Sequence, residues 1–216
     1  MKLWDKGYTT DNFVERYTVG NDRELDLNLA KHDVAGNRAH AVMLESIGLL
    51  SKQELDSILK GLDELAVEIE QGTFVIEEQF EDVHSKIEFA LVQKIGEAGK
   101  KIHAARSRND QVLVDLHLYA KEEIGVLKLL VKQLFDTLID LAGEHKDVLI
   151  PGYTHLQVAM PSSFGLWFSA YAETLIDDGS MLNAAFKIAD QNPLGSAAGY
   201  GSSFPINRSL TTEILG

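Results

Sequence analysis

Between Ser51 and Gly72, Leu55, Ile58, Leu59, Leu62, Leu65, Ala66 and Ile69 recur at steps of three and four residues, which places them on one face of a helix. Ser51-Lys52-Gln53-Glu54 reads as the capping box that starts it and Gly72 as its stop. Upstream, residues 22–48 read as another helix, loosened around Gly36. A third is predicted over about 81–97, with Ile87, Ala90, Leu91 and Ile95 facing inward. The pattern lengthens after Gly99. From Ser107 to about Asp147 there is no proline, and Val112, Leu116, Tyr119, Leu127, Leu130, Val131, Leu134, Leu138 and Leu141 keep helical spacing. A helix of ~38 residues would extend ~57 Å, roughly three times the usual length, and needs neighbours as long as itself. A second long helix is predicted from Pro161 to about Asp190, with Trp167 and Phe168 within it. Asn192 to Pro205, with Gly195, Ser196, Gly199, Gly201, Ser202 and Ser203, reads as a flexible loop, and Asn207–Leu215 as the start of a further helix. No alternation of period two predicts a strand. The expected fold is all-α: a small N-terminal helical domain over 1–104, then, over 105–216, the first long helices of a bundle that forms a multi-subunit helical core.

Composition narrows the function classes. The chain has 216 residues, 45% hydrophobic and 25% charged, as soluble globular proteins do. Its 33 acidic residues against 20 basic ones give a net charge of −13, which argues against partners such as nucleic acid or an anionic membrane. An anionic substrate would therefore need local positive charge or backbone donors. The absence of cysteine removes disulfides, thiol catalysis and thiolate-bound metals. Met1-Lys2-Leu3-Trp4-Asp5-Lys6 has no apolar signal region, and no apolar run approaches the ~20 residues that span a bilayer. A cytoplasmic protein is expected.

Two segments concentrate chemistry. Gly152-Tyr153-Thr154-His155-Leu156-Gln157-Val158-Ala159-Met160-Pro161 puts a hydroxyl, an imidazole and a carboxamide within four positions, in a loop bounded by glycine and proline. His155 can act as acid or base near neutral pH; a hydrogen-bonded structural histidine is the alternative. His103-Ala104-Ala105-Arg106-Ser107-Arg108-Asn109-Asp110-Gln111 sits where the long helix begins. Ser107 can cap that helix, whose free N–H groups favour a carboxylate, and Arg106 and Arg108 add positive charge. Asn109 offers a donor and an acceptor; a plain cap followed by surface charges is the alternative. Glu81-Asp82-Val83-His84 opens a helix, where first-turn acids are ordinary; a structural role suits His84, and contact with a ligand is the alternative. His32 and Asp33 are explained by an ion pair or by the surface. The His, Asp and Glu residues are too scattered to suggest a metal site, and no phosphate-binding loop is present.

Ala105-Arg106-Ser107-Arg108-Asn109-Asp110-Gln111 and Gly152-Tyr153-Thr154-His155-Leu156-Gln157 resemble two of the three signature segments of the argininosuccinate lyase family, within the fumarase/aspartase superfamily. Asp33-Val34-Ala35-Gly36-Asn37-Arg38-Ala39-His40, Glu81-Asp82-Val83-His84 and Pro193-Leu194-Gly195-Ser196 extend the resemblance along the chain. Tyr153 ahead of Thr-His-Leu-Gln favours this family over fumarases and adenylosuccinate lyases.

The resemblance implies a reversible β-elimination that turns argininosuccinate into arginine and fumarate. It makes His155 the catalytic acid/base residue, Thr154 and Gln157 substrate-binding, and Ser107, Arg108 and Asn109 substrate binders. It implies neither metal nor organic cofactor. A family serine that contacts substrate aligns with Asp22 here, a carboxylate in place of a hydroxyl. The third signature, a loop that supplies a serine partner, has no match: Gly201-Ser202-Ser203-Phe204-Pro205-Ile206-Asn207-Arg208 lacks its methionine and lysine. The chain thus reads as an N-terminal half, inactive alone. By the superfamily's pattern, three subunits of a homotetramer would build each site. Another lyase of the superfamily, a non-catalytic crystallin-like scaffold and a purely helical interaction domain are the rival readings.

Overall fold

The computed structural model describes residues 11–216, so Met1–Lys6 lie outside the described residues. Helices dominate as expected, in two compact units: one comprises the chain up to Tyr119 together with Asn192–Gly216, the other Ala120–Gln191.

In the first unit α1 (Asn12–Val19) and α2 (Asp22–Leu25) lead through a 3-10 turn, Asp26–Asn28, into α3 (Ala30–Ser46). The predicted 22–48 helix is therefore interrupted near Leu25–Leu29 rather than at Gly36, through which α3 runs unbroken. The glycine has a tertiary purpose. A Cβ there would lie 3.2 Å from both Asp115 Oδ1 and Val114 Cγ1, so its absence lets the later long helix come close. Next come α4 (Lys52–Glu70) and α5 (Val83–Ile95). Val34, Met43 and Leu44 of α3, Ile58, Leu62 and Leu65 of α4, and Ile87 and Leu91 of α5 form one buried core. Arg38 and Asp63 pair across α3 and α4. The capping box holds as read: Ser51 Oγ accepts from Glu54 N at 3.3 Å, and Ser51 N donates to Glu54 Oε2 at 2.9 Å. Ser51→Ala is expected to destabilise the chain by about 1 kcal/mol, read as a lower urea midpoint with an unchanged slope. Short α6 (Glu97–Lys100) and a 3-10 turn, Lys101–His103, precede α7 (Arg108–Glu144), the long helix of 37 residues.

In the second unit α7 continues to Glu144 and is followed by two strands, β1 (Leu149–Thr154) and β2 (Gln157–Ser163), then α8 (Phe164–Ala189). The strands correct the expectation of a loop and of no strand at all. The start of α8 is corrected too: Pro161 lies in β2 opposite Pro151, and Ser163 caps the helix by accepting from Leu166 N at 3.1 Å. Pairing of 157–163 with 149–154 consumes the residues that would have formed the first helical turn. Lys121 of α7 and Asp190 just past α8 form an ion pair of 2.6 Å. Leu127, Leu130, Leu134, Ile176, Met181 and Ile188 remain exposed along the two helices. The chain then returns to the first unit, where α9 (Arg208–Leu215) packs on α3. Among the described residues no helix is long and apolar enough to cross a membrane.

Candidate functional site

The Thr154-His155-Leu156-Gln157 segment is the tip of a tight antiparallel hairpin. Thr154 faces Gln157 and Tyr153 faces Val158, with a register shift between Pro151 and Tyr153. At that irregularity a Cβ on Gly152 would come within 2.8 Å of Met160 O, so only glycine fits. His155 and Leu156 form the two-residue turn, at φ 50° and 63°. Positive φ at both central residues gives the twist that a two-residue hairpin needs, but L side chains adopt it at a cost. The gain is presentation. Thr154, His155 and Gln157 stand exposed side by side, and Leu156 is 98% exposed.

The second predicted cluster is the first turn of α7. Asn109 is exposed, and its N–H donates to Ser107 Oγ at 3.3 Å, which caps the helix. Arg108 is committed within the chain: its Nη1 donates to Asp82 Oδ1 and Oδ2 at 2.6 and 2.7 Å and to Ser85 Oγ at 3.1 Å. Asp82 in turn caps α5 by accepting from Ser85 N at 2.7 Å. Burial works to raise the Asp82 carboxyl, but the Arg108 charge and the Ser85 hydrogen bonds hold it below the usual range. Asp22 is the exposed first residue of α2. Ser107, Arg108 and Asn109 are thus together in one unit, and Thr154, His155 and Gln157 in the other.

Beneath the first turn of α7 lies a polar network that the sequence reading did not assemble. Asp33, fully buried, accepts from His84 Nδ1 at 2.9 Å, Gln111 Nε2 at 2.6 Å and Asn37 Nδ2 at 2.8 Å. The surface alternative for Asp33 is thereby excluded, and His84 is structural as expected. Asn37 passes the chain on, accepting from Arg106 Nη2 at 2.6 Å. Burial alone would raise the Asp33 carboxyl; His84, the Arg106 charge and the Gln111 hydrogen bond outweigh it and keep Asp33 ionised. Burial draws the Arg106 guanidinium down from its ordinary value against the pull of Asp33 and Asp115, and it stays charged. Asp115, also fully buried, lies 3.4 Å from His84 Nδ1. As a carboxylate it would have no hydrogen-bond partner among the described residues. Burial and the neighbouring Asp33 charge push it well above the ordinary carboxylate range. His40 donates from Nε2 to Ala104 O at 2.8 Å, and burial with the Arg106 charge lowers its pKa to about 3.

The fold thus gathers Asp33, His84 and Asp115, whose ligand atoms lie within 4.8 Å of one another. Sequence spacing had scattered them. Three protons already point at Asp33 and the Arg106 charge acts on it, so Asp33 itself is satisfied within the chain. The available signal was a polar step of four residues on each of two buried helix faces, Asp33 with Asn37 and Gln111 with Asp115.

A family model described as lyase matches residues 6–216. The argininosuccinate lyase of Bacteroides fragilis (strain YCH46) is 59% identical over 216 residues, which cover 100% of this chain and 48% of the relative. That of Thermotoga neapolitana is 43% identical over 215 residues, covering 100% of this chain and 54% of the relative. Among solved structures, an EDDS lyase variant with bound fumarate matches with a TM-score of 0.75 at 28% identity, over 96% of this chain and 41% of its own. The chain spans about half the length of the curated relatives it matches.

Proposed function

We propose, from the premise that this chain belongs to the lyase family, that it is the N-terminal half of an argininosuccinate lyase, which splits argininosuccinate reversibly into arginine and fumarate. Identity along the whole chain to relatives of that name carries the reading. In this reaction a base removes the proton next to a substrate carboxylate, the resulting aci-carboxylate is stabilised by hydrogen-bond donors, and an acid protonates the departing guanidino nitrogen. The hairpin tip suits His155 to one of those proton transfers, because its imidazole stands exposed between Thr154 and Gln157. Thr154 and Gln157 supply hydrogen bonds to substrate. Asn109 and Ser107 do so from the helix start, where free N–H groups favour a carboxylate. Arg108 adds positive charge there while held by Asp82. Asp22 is assigned to the substrate side on the alignment alone. The reading invokes no metal and no organic cofactor, and it places the enzyme in the cytoplasm.

Assembly follows from the same reading. Arg108 and Glu144 are the ends of one 37-residue helix, about 55 Å by helix geometry, and its exposed leucines need cover. A homotetramer would cover them and bring segments of several copies to each site.

The test is fumarate release, followed by ultraviolet absorbance, with a panel of argininosuccinate, adenylosuccinate and aspartate. The complete protein containing this chain is expected to release fumarate from argininosuccinate, and the 216-residue chain alone to release none. Preference of the complete protein for another panel member would overturn the substrate assignment, and activity of the isolated chain the half-enzyme reading.

A further inference from the structure

Asp110 looks like an ordinary first-turn acid, but its surroundings give it a different task. It is fully buried. Its Oδ1 accepts from Ser107 N at 2.9 Å, closing the turn that precedes Arg108 and Asn109. Its Oδ2 accepts from Gly195 N at 2.8 Å and Ala197 N at 2.9 Å, from the segment between α8 and α9. That segment is bent for the purpose: Gly195 and Ala197 both have positive φ, 96° and 53°. Alternating N–H groups converging on one point make an anion cradle, and Asp110 fills it from within the chain. Ala105, two residues before the turn, is also left-handed at φ 58°. One carboxylate therefore fastens together two stretches of backbone that would otherwise relax.

We infer that Asp110 is a positioning residue: by clamping Ser107 N–H, Gly195 N–H and Ala197 N–H, it fixes the turn that presents Ser107 and Asn109 to substrate. The inference rests on the lyase reading above. An amide in its place keeps one acceptor but turns an N–H2 group towards an N–H donor, so at least one side of the clamp opens. Hydrogen bonds to a charged acceptor are the stronger kind, and losing one or two of them displaces the turn rather than the proton-transfer group.

In the complete enzyme Asp110→Asn is therefore expected to raise KM for argininosuccinate by about 10- to 100-fold with a smaller fall in kcat. Amide hydrogen exchange at Gly195 and Ala197 should speed up in the same variant. Unchanged KM in a folded variant, or a loss of thermal stability with kcat/KM intact, overturns the inference. If the parent enzyme does not act on argininosuccinate at all, the lyase reading fails first and the positioning role falls with it. The exchange measurement on this chain still decides whether the clamp exists. Should Asp110→Asn not fold, the unsubstituted chain serves: Gly195 and Ala197 amides must exchange more slowly than that of Ala198, and equal rates overturn the clamp.

Discussion

On the proposed lyase reading, replacing His155 by glutamine in the complete protein is expected to lower kcat by about 10²- to 10⁴-fold and to leave KM for argininosuccinate nearly unchanged. Glutamine keeps a polar group at the same place but cannot take up and return a proton. Stability should hardly move, because His155 stands exposed at the tip of a two-stranded hairpin. The pairing of a large kinetic effect with an unchanged melting temperature separates a proton-transfer role from a structural one. A kcat within about threefold of the parent, far below the usual effect of losing an acid/base group, would remove His155 from the mechanism.

The second large effect is on folding. Asp33→Asn is expected to destabilise the first unit by about 3–5 kcal/mol, because the Arg106 guanidinium would remain buried without its counter-charge. Asp115→Asn should be mild or stabilising at neutral pH, since the amide replaces a buried carboxyl that burial and the Asp33 charge drive towards its neutral form. The two acids also act oppositely on pH. Asp33 has a depressed folded pKa, so its contribution is complete above the ordinary value of 3.8 and is lost as pH falls through the folded value. Asp115 has a raised one: the folded chain keeps a proton that the unfolded chain releases, so stability declines as pH climbs from 3.8 towards the raised value. Urea unfolding across pH 5 to 9 should show a shallower alkaline decline for Asp115→Asn than for the parent. A larger loss at pH 7 from Asp115→Asn than from Asp33→Asn would contradict this charge assignment.

Much of the helical fold was legible because it is local. The stripe on α4, its capping box and the proline-free length of α7 are written at steps of three and four residues, and each element appeared where the pattern put it. The hairpin was not legible. Neither strand has a buried face, since β1 half-buries only Ile150 and Gly152 and β2 only its last two serines, and the turn carries His-Leu where Asn-Gly would have announced it. Gly36 misled for a different reason: it answers to Asp115 and Val114, far along the chain, rather than to its own helix. The site motifs were visible as residue types, whereas the network under them was not. Asp33 meets His84 across 51 residues and Gln111 across 78, separations that leave no local mark. Asp110 was the best disguised, since an acid three residues into the capped turn is ordinary whatever else it binds.

The left-handed turn at His155 and Leu156 has a consequence for how this protein would change under selection. Asparagine and glycine at 155 and 156 would hold the same backbone with little or none of the cost that a histidine and a leucine pay there. Variants chosen only for folding or solubility would therefore drift towards that pair, gaining stability while discarding the imidazole. On the proposed role of His155, a more robust protein and a working enzyme ask for different residues at these two positions, so the tip would be kept only where catalysis itself is under selection.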